Sequence, residues 1–316
     1  MMRVSSLQYF QCNVGKLTDV QAQLVELQQQ IASGVSVDRP SDDPTRLFQG
    51  IQAQRGIDRA AQYNRNIVFA RTQLEQIETG LSRASDNLVD VKERMIQAAN
   101  GTLSAADKKT IAITVQSLRD DLLQTFNQKD LSGRYLFSGK SEDQQTFAVQ
   151  SPGPTFPVYQ GEVAASAGSA GLTVEVGNGI FVNLGLTARE AVVLSDADAL
   201  TATPEVNVFS LLDDAINLLN NNASAAQLAP VASQLDAVFD KVQNSRTAVG
   251  IRLATLDANE AINSSDQSTY AQMKKDAVDT DVADAISKLV QGQSQAQAFQ
   301  LSYSNIAKLS LFNFIA

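Results

Sequence analysis

Apolar residues recur at alternating steps of three and four near both extremities of the chain. Toward the start, Phe10, Leu17, Val20, Leu24, Leu27 and Ile31 form one stripe, backed by a polar face rich in Gln21, Gln23, Gln28, Gln29 and Gln30. Toward the end, Val282, Ala285, Leu289, Ala296, Phe299, Tyr303 and Ile306 repeat the spacing behind Asp281, a residue suited to capping a helix. Two apolar positions in seven make a coiled-coil seam. A helix with so narrow a stripe needs a partner, and each end of the chain offers one to the other.

Between the two seams the pattern predicts more helix, broken once. Ser33-Gly34 reads as a helix end, with glycine entering the left-handed cap at little cost. Pro40 makes Arg39 extended, Asp43 is a good N-cap, and Pro44 fits a first helical position that needs no N–H. A helix from Pro44 to about Asn100 follows, roughly 85 Å long at 1.5 Å per residue. Its second half is a heptad of Ile67, Ala70, Leu74, Ile77, Leu81, Ala84, Leu88, Val91, Met95 and Ala98, with Gly50, Gly56 and Gly80 inside. Asn100-Gly101 is the stop. Ser104 with Asp107 resembles a capping box and opens a helix carrying Ile111, Val115, Leu118, Leu122 and Phe126.

The period changes after Gly133. Arg134 to Gly139 has the look of a strand. Leu172, Val174, Val176 and then Ile180, Val182, Leu184 alternate around a Gly177-Asn178-Gly179 hairpin signal, while Ala164 to Gly171 is a small-residue loop. Helix returns at Pro204 with Val208, Leu211, Ala215, Leu218 and Leu219. It resumes with Leu228, Val231, Leu235, Val238, Val242, Val249 and Leu256, and continues more weakly over 259–280. The expected fold is mainly α with a β-rich insert: a long antiparallel helical rod, its terminal helices forming a coiled coil, and one small β domain inserted midway. Three divisions follow: assembly segments at 1–40 and 278–316, a helical rod at 41–139 and 204–277, and a β insert at 140–203.

Composition narrows the chemistry. The 316 residues suggest about two domains, and 44% of them are apolar. Net charge is −9 with no basic run, which argues against nucleic acid or anionic membrane as a partner. Cys12 is the one cysteine, and there is no histidine. No disulfide can form within the chain, and the usual zinc and copper sites lack their ligands. General acid–base chemistry loses its commonest residue. Asp42 and Asp43 are paired carboxylates, but a capped helix start accounts for them. Glu162 and Glu175 have no motif around them, so a hydrolase or ligand-binding adhesin has little support. No enzyme activity, cofactor or metal is expected. Cys12 reads as a small apolar residue on the edge of the seam. The first residues have no apolar signal-peptide core, and no run approaches the ~20 apolar residues of a membrane span. Taken alone, those absences point to the cytoplasm.

Several stretches together resemble the flagellin superfamily. They are Arg3-Val4-Ser5; Leu27 to Gly34 followed by Pro40, Ser41, Asp42, Asp43 and Pro44; Asn100 to Ser104; Asp130 to Gly139, with Gly133, Tyr135, Phe137 and Gly139; Val158 to Glu162; Asp279 to Ala283; and Lys308 to Ile315. Valine after Gly34 and the bulky Thr45-Arg46-Leu47 depart from the family pattern. The stretches over 100–104, 130–139 and the C-terminal end are more similar to the branch at the junction of hook and filament than to flagellin itself, the alternative.

The resemblance implies a structural subunit without catalysis. Copies of the chain would form a tubular assembly between a neighbouring hook-associated protein and flagellin. Export would run through the flagellum's own type III apparatus with a chaperone, placing the protein outside the cell and reversing the cytoplasmic reading. The polymerisation residues would be Leu17, Val20, Leu24, Leu27, Ile31, Val282, Leu289, Phe299, Tyr303 and Ile306. Both ends are expected to stay largely unfolded until neighbouring subunits bury their seams.

Overall fold

The computed structural model describes residues 3–100, 102–130, 132–139, 141, 143–149, 155–161, 172–195 and 206–315; within these, side chains are described between 11 and 304, Asn13 and Tyr303 excepted. The order is α1 (Arg3–Ser33), α2 (Pro44–Ala98), α3 (Ala105–Phe126), β1 (Phe147–Ala148), β2 (Val158–Tyr159), β3 (Thr173–Gly177), β4 (Ile180–Asn183), α4 (Ala188–Val192), β5 (Val193–Ser195), β6 (Val206–Asn207), α5 (Val208–Asn220), α6 (Ala225–Val278) and α7 (Val282–Ile315). The strands form three two-stranded antiparallel sheets, β1–β2, β3–β4 and β5–β6. The fold is mainly α with small β elements, as the hydrophobic pattern predicts. The loop at 164–171 and Pro204 lie outside the described residues.

The helix boundaries have local causes. Asp43 Oδ1 accepts the N–H groups of Thr45 and Arg46, each at 2.9 Å, so α2 begins at Pro44. Ser104 and Asp107 exchange side-chain-to-backbone bonds at the start of α3, a full capping box with Asp in the third position. Asn207 caps α5 through the N–H groups of Phe209 and Ser210 and also donates to the carbonyl of Pro157 at 3.0 Å. The hairpin forms where Gly177-Asn178-Gly179 predicts it, with Gly179 at φ +73°.

Contacts divide the chain into two compact units, Met1–Arg59 with Ser265–Ala316, and Ala60–Ser264. In the second unit every heptad residue of α2 from Ile67 to Ala98 is buried, facing Leu235, Val238, Val242, Val249 and Leu256 of α6 in one core cluster. Polar rungs flank that seam about once per heptad. Arg71 meets Asp257 and Glu260, Glu78 meets Arg246, Ser85 meets Gln243, and Lys92 meets Asp236. Residue numbers rise on α2 as they fall on α6, so the two helices run antiparallel.

The described residues of the inserted segment fall inside the Ala60–Ser264 unit, where its aromatic residues enter the helical core. Phe147 packs edge-on against Phe126 (6.1 Å), Tyr159 (5.7 Å) and Phe209 (4.8 Å), and Phe126 against Phe137 (5.3 Å). Burying several such rings in one cluster favours a common core. The strand expected at Arg134–Gly139 is corrected: the stretch is a run of turns, with one bridge between Lys129 and Tyr135. Asp130 causes this. Its carboxylate accepts the N–H groups of Ser132 (2.8 Å) and Arg134 (2.9 Å), closing a loop at Gly133, φ +82°. Burial raises the Asp130 carboxyl, but those N–H groups, with Gln73 and the Arg134 guanidinium, outweigh it and hold it below the usual range. The turn delivers Phe137, fully buried, onto Gly80 of α2.

Candidate functional site

The predicted assembly residues gather in the unit Met1–Arg59 with Ser265–Ala316, where α1 and α7 pack along each other. Leu17, Val20, Leu24, Leu27 and Ile31 of α1 are half-buried, as are Leu289 and Phe299 of α7, while Ala285 and Ala296 are buried. The seam therefore has a partner within the chain, as the coiled coil expected of the two terminal helices requires. Tyr303 and Ile306 fall on helical backbone, but their side chains lie outside the described residues. Val282 is 46% exposed. Cys12 is exposed too, not tucked against the seam.

The two seams meet through a notch. A Cβ on Gly292 would lie 2.8 Å from Leu24 Cδ2, so the leucine fills the space that the missing side chain leaves. Asp281 caps α7, accepting the N–H of Ala283 at 3.0 Å and of Asp284 at 3.2 Å.

A short clasp joins the segments that enter and leave the pair. Val35 and Asp279 form an antiparallel bridge, Ser36 N–H donates to the carbonyl of Val278 at 2.7 Å, and Thr280 N–H donates to that of Gly34 at 2.9 Å. The Ser36 hydroxyl donates to the carbonyl of Val278 or Asp279, 3.1 Å from each, and Arg46 reaches Ser36 Oγ at 3.3 Å. Gly34 adopts φ +73°, as its cap position predicts. Val37 is buried beside the clasp, and Val278 packs where Gly50 of α2 leaves room for it.

The family-motif residues split by role. Pro40, Ser41 and Asp42 are exposed in a turn in which Asp42 accepts the Arg39 N–H at 3.0 Å. That backbone bond is the main reason the Asp42 carboxyl sits below its usual range. Asp43 and Pro44 start α2, as described. Gly133, Tyr135, Phe137 and Gly139 belong to the Ala60–Ser264 unit and form the turn that seats Phe137.

Two features escape the periodicity. Gly292 looks like a weak point in a helix, but it is the notch that admits Leu24. The apolar arc of α7 is also wider than one stripe. Ile286 (46% exposed), Val290 (56%) and Leu301 (66%) lie about 100–160° around the helix from the seam at 100° per residue, and Val25 of α1 is 63% exposed. Ile286 and Val290 each follow a seam residue by one position, so they read as flank residues until both rows are plotted. Pairing α1 with α7 leaves this second row uncovered. Among the described residues no cluster of His, Cys, Asp or Glu could hold a metal ion, and no helix is long and apolar enough to cross a membrane.

A helix near each terminus, both with heptad seams, paired with each other and clasped at one point, is the build of a flagellin-type subunit. The model for the bacterial flagellin N-terminal helical region matches residues 4–142. Over nearly its whole length the chain is similar to flagellar hook-associated protein 3. It is 28% identical to that protein of Escherichia coli over 98% of this chain and 99% of the relative. To that of Salmonella typhimurium it is 26% identical over the same shares. The crystal structure of flagellar hook-associated protein 3 from Legionella pneumophila has the same fold, with a TM-score of 0.61 and 18% identity over 71% of this chain and 98% of that one.

Proposed function

We propose that this chain is a structural subunit of the bacterial flagellum that joins the hook side of the structure to the flagellin filament. The carrying observation is the second apolar row of Ile286, Val290 and Leu301, which stays exposed after α1 and α7 have paired. Copies of the chain bury that row against one another in a ring, at roughly 25 cal/mol for each Å² of apolar surface removed from water. Leu17, Val20, Leu24, Leu27, Ile31, Leu289 and Phe299 hold the pair together, and Val282, Tyr303 and Ile306 extend its contact surface. The ring has a neighbouring hook-associated protein on one side and flagellin on the other. The chain reaches its place outside the cell through the type III export apparatus, kept soluble by a chaperone, and catalyses nothing.

Leu24→Asp and Leu289→Asp test this reading. Each puts a charge into the half-buried seam. Cells carrying either variant are expected to make flagellin but shed it into the medium, while the thermal midpoint of the Ala60–Ser264 unit stays unchanged. Normal swimming by both variants would refute the role given to the seam. Loss of the gene with filaments retained would refute the junction role itself.

A further inference from the structure

The large apolar residues of the Ala60–Ser264 seam end at Ile67 on α2 and Leu256 on α6, both fully buried, and the small Ala60 follows one heptad further along α2. One heptad past the Arg71 rung, the facing positions turn polar. Tyr63, Asn64 and Asn66 lie on α2, with Asn259 and Asn263 on α6. Asn259 and Asn263 are nevertheless buried. Buried amides with no bonding partner destabilise a helix pair by about 1–3 kcal/mol each. Asn259 Nδ2 finds its partner in its own helix, the carbonyl of Thr255 at 2.8 Å, and the β3–β4 hairpin supplies the partner of Asn263.

Two consecutive carbonyls of β3 go to different helices. Asn66 Nδ2 donates to the carbonyl of Glu175, and Asn263 Nδ2 to that of Val176, each at 2.8 Å. Consecutive carbonyls of a strand point to opposite edges, and the register irregularity between Glu175 and Gly177 sits where this division occurs. The Tyr63 hydroxyl donates to Glu175 Oε1 at 3.1 Å, and the same oxygen accepts the Gly179 N–H at 3.2 Å. Val176 is fully buried, and a Cβ on Gly177 would lie 3.1 Å from Asn259 Oδ1. The hairpin thus touches both helices through backbone and polar side chains, where α2 offers little buried apolar surface beyond the small Ala60.

We propose that the β3–β4 hairpin is a strap. While docked, it locks α2 to α6 across residues 60–67 and 256–264. Lifted, it frees those turns to open locally while the apolar seam from Ile67 to Ala98 stays closed. The strap replaces the next ion-pair rung, and its docking is one cooperative event, because the two helices hold neighbouring atoms of the same strand.

Hydrogen exchange followed by mass spectrometry on the full chain tests it. With Asn66→Ala or Asn263→Ala, exchange is expected to rise about tenfold in all three segments, 60–67, 173–183 and 256–264, and to stay unchanged over 84–95. A rise confined to the substituted helix, or no rise, overturns the strap. Should either alanine variant fold poorly, Tyr63→Phe removes only the phenolic donor. A smaller rise in the same three segments then supports the strap, and unchanged exchange in 173–183 and 256–264 overturns it.

Discussion

Gly56 gives the sharpest energetic test of how α2 and α6 pack in the Met1–Arg59 and Ser265–Ala316 unit. A methyl group at Gly56 would stand 2.6 Å from Cγ and 2.7 Å from Cδ1 and Cδ2 of Tyr270. Ordinary carbon contacts lie at about 3.5–4.0 Å. Cγ is the root of the ring, so the clash cannot be relieved by swinging the far end of the side chain; the helices must part or Tyr270 must leave its rotamer. Overpacking of this kind costs about 1–3 kcal/mol. Alanine also favours helix over glycine by about 1 kcal/mol, which opposes the clash. Gly56→Ala should therefore be neutral to about 2 kcal/mol destabilising. Gly250→Ala supplies the propensity term alone, because nothing lies within 4 Å of its added Cβ, and should stabilise by about 1 kcal/mol. Since the two sites lie in different units, hydrogen exchange of the local peptides is the right assay, with about 1.4 kcal/mol per tenfold change. Gly56→Ala made together with Tyr270→Ala should recover the propensity gain. If Gly56→Ala stabilises its surroundings as much as Gly250→Ala does, the close approach of Gly56 to Tyr270 is wrong.

Gly292→Ala carries opposing signs in two settings. It should raise the helicity of an isolated α7 peptide by about 1 kcal/mol of propensity, yet weaken or leave unchanged the α1–α7 pair, because Leu24 must leave its notch. Circular dichroism of the peptide and exchange of residues 17–31 in the full chain check both halves, and a gain in both rules out the notch. Asp214 gives a pH signature. Asp214 is exposed, but partial desolvation first, and then the neighbouring Asp213, raises its carboxyl above the ordinary 3.8. A raised carboxyl penalises the folded state above its folded pKa, and the penalty disappears once both states are protonated. Asp214→Asn should therefore raise the melting temperature near about pH 7 and lose that advantage by about pH 3; an advantage that persists in acid contradicts the assignment.

Much of this fold is visible in the sequence because it rests on local signals. The heptad of α2 from Ile67 to Ala98 predicts ten core residues, and every one is buried. Asp43, Ser104 and Gly34 each satisfy backbone groups within a few residues, so helix ends can be read without tertiary knowledge. The turn at 130–139 resists reading because Tyr135, Leu136 and Phe137 have strong strand propensity, and the carboxylate of Asp130 overrides it. The packing of the insert against the helices cannot be read from local signals, because the partners of Phe147 are Phe126 and Phe209, far away in sequence. At the seam, periodicity finds the half-buried leucines. It cannot reveal that Gly292 is a socket or that Ile286 and Val290 remain uncovered, since both facts depend on which face the partner helix takes. The strap is hidden for the same reason: Asn66 and Asn263 look like exposed helix polar groups until β3 lies across them.

Hydrogen exchange of the chain before and after it seats on isolated hook ends tests the account most directly. Protection should rise strongly across residues 17–31 and 282–302, where the pair leaves its second apolar row exposed, and stay level across 67–98. Equal protection of both terminal segments in the free and seated states, with flagellin still able to grow from the seated chain, would contradict the claim that burying the terminal pair drives assembly.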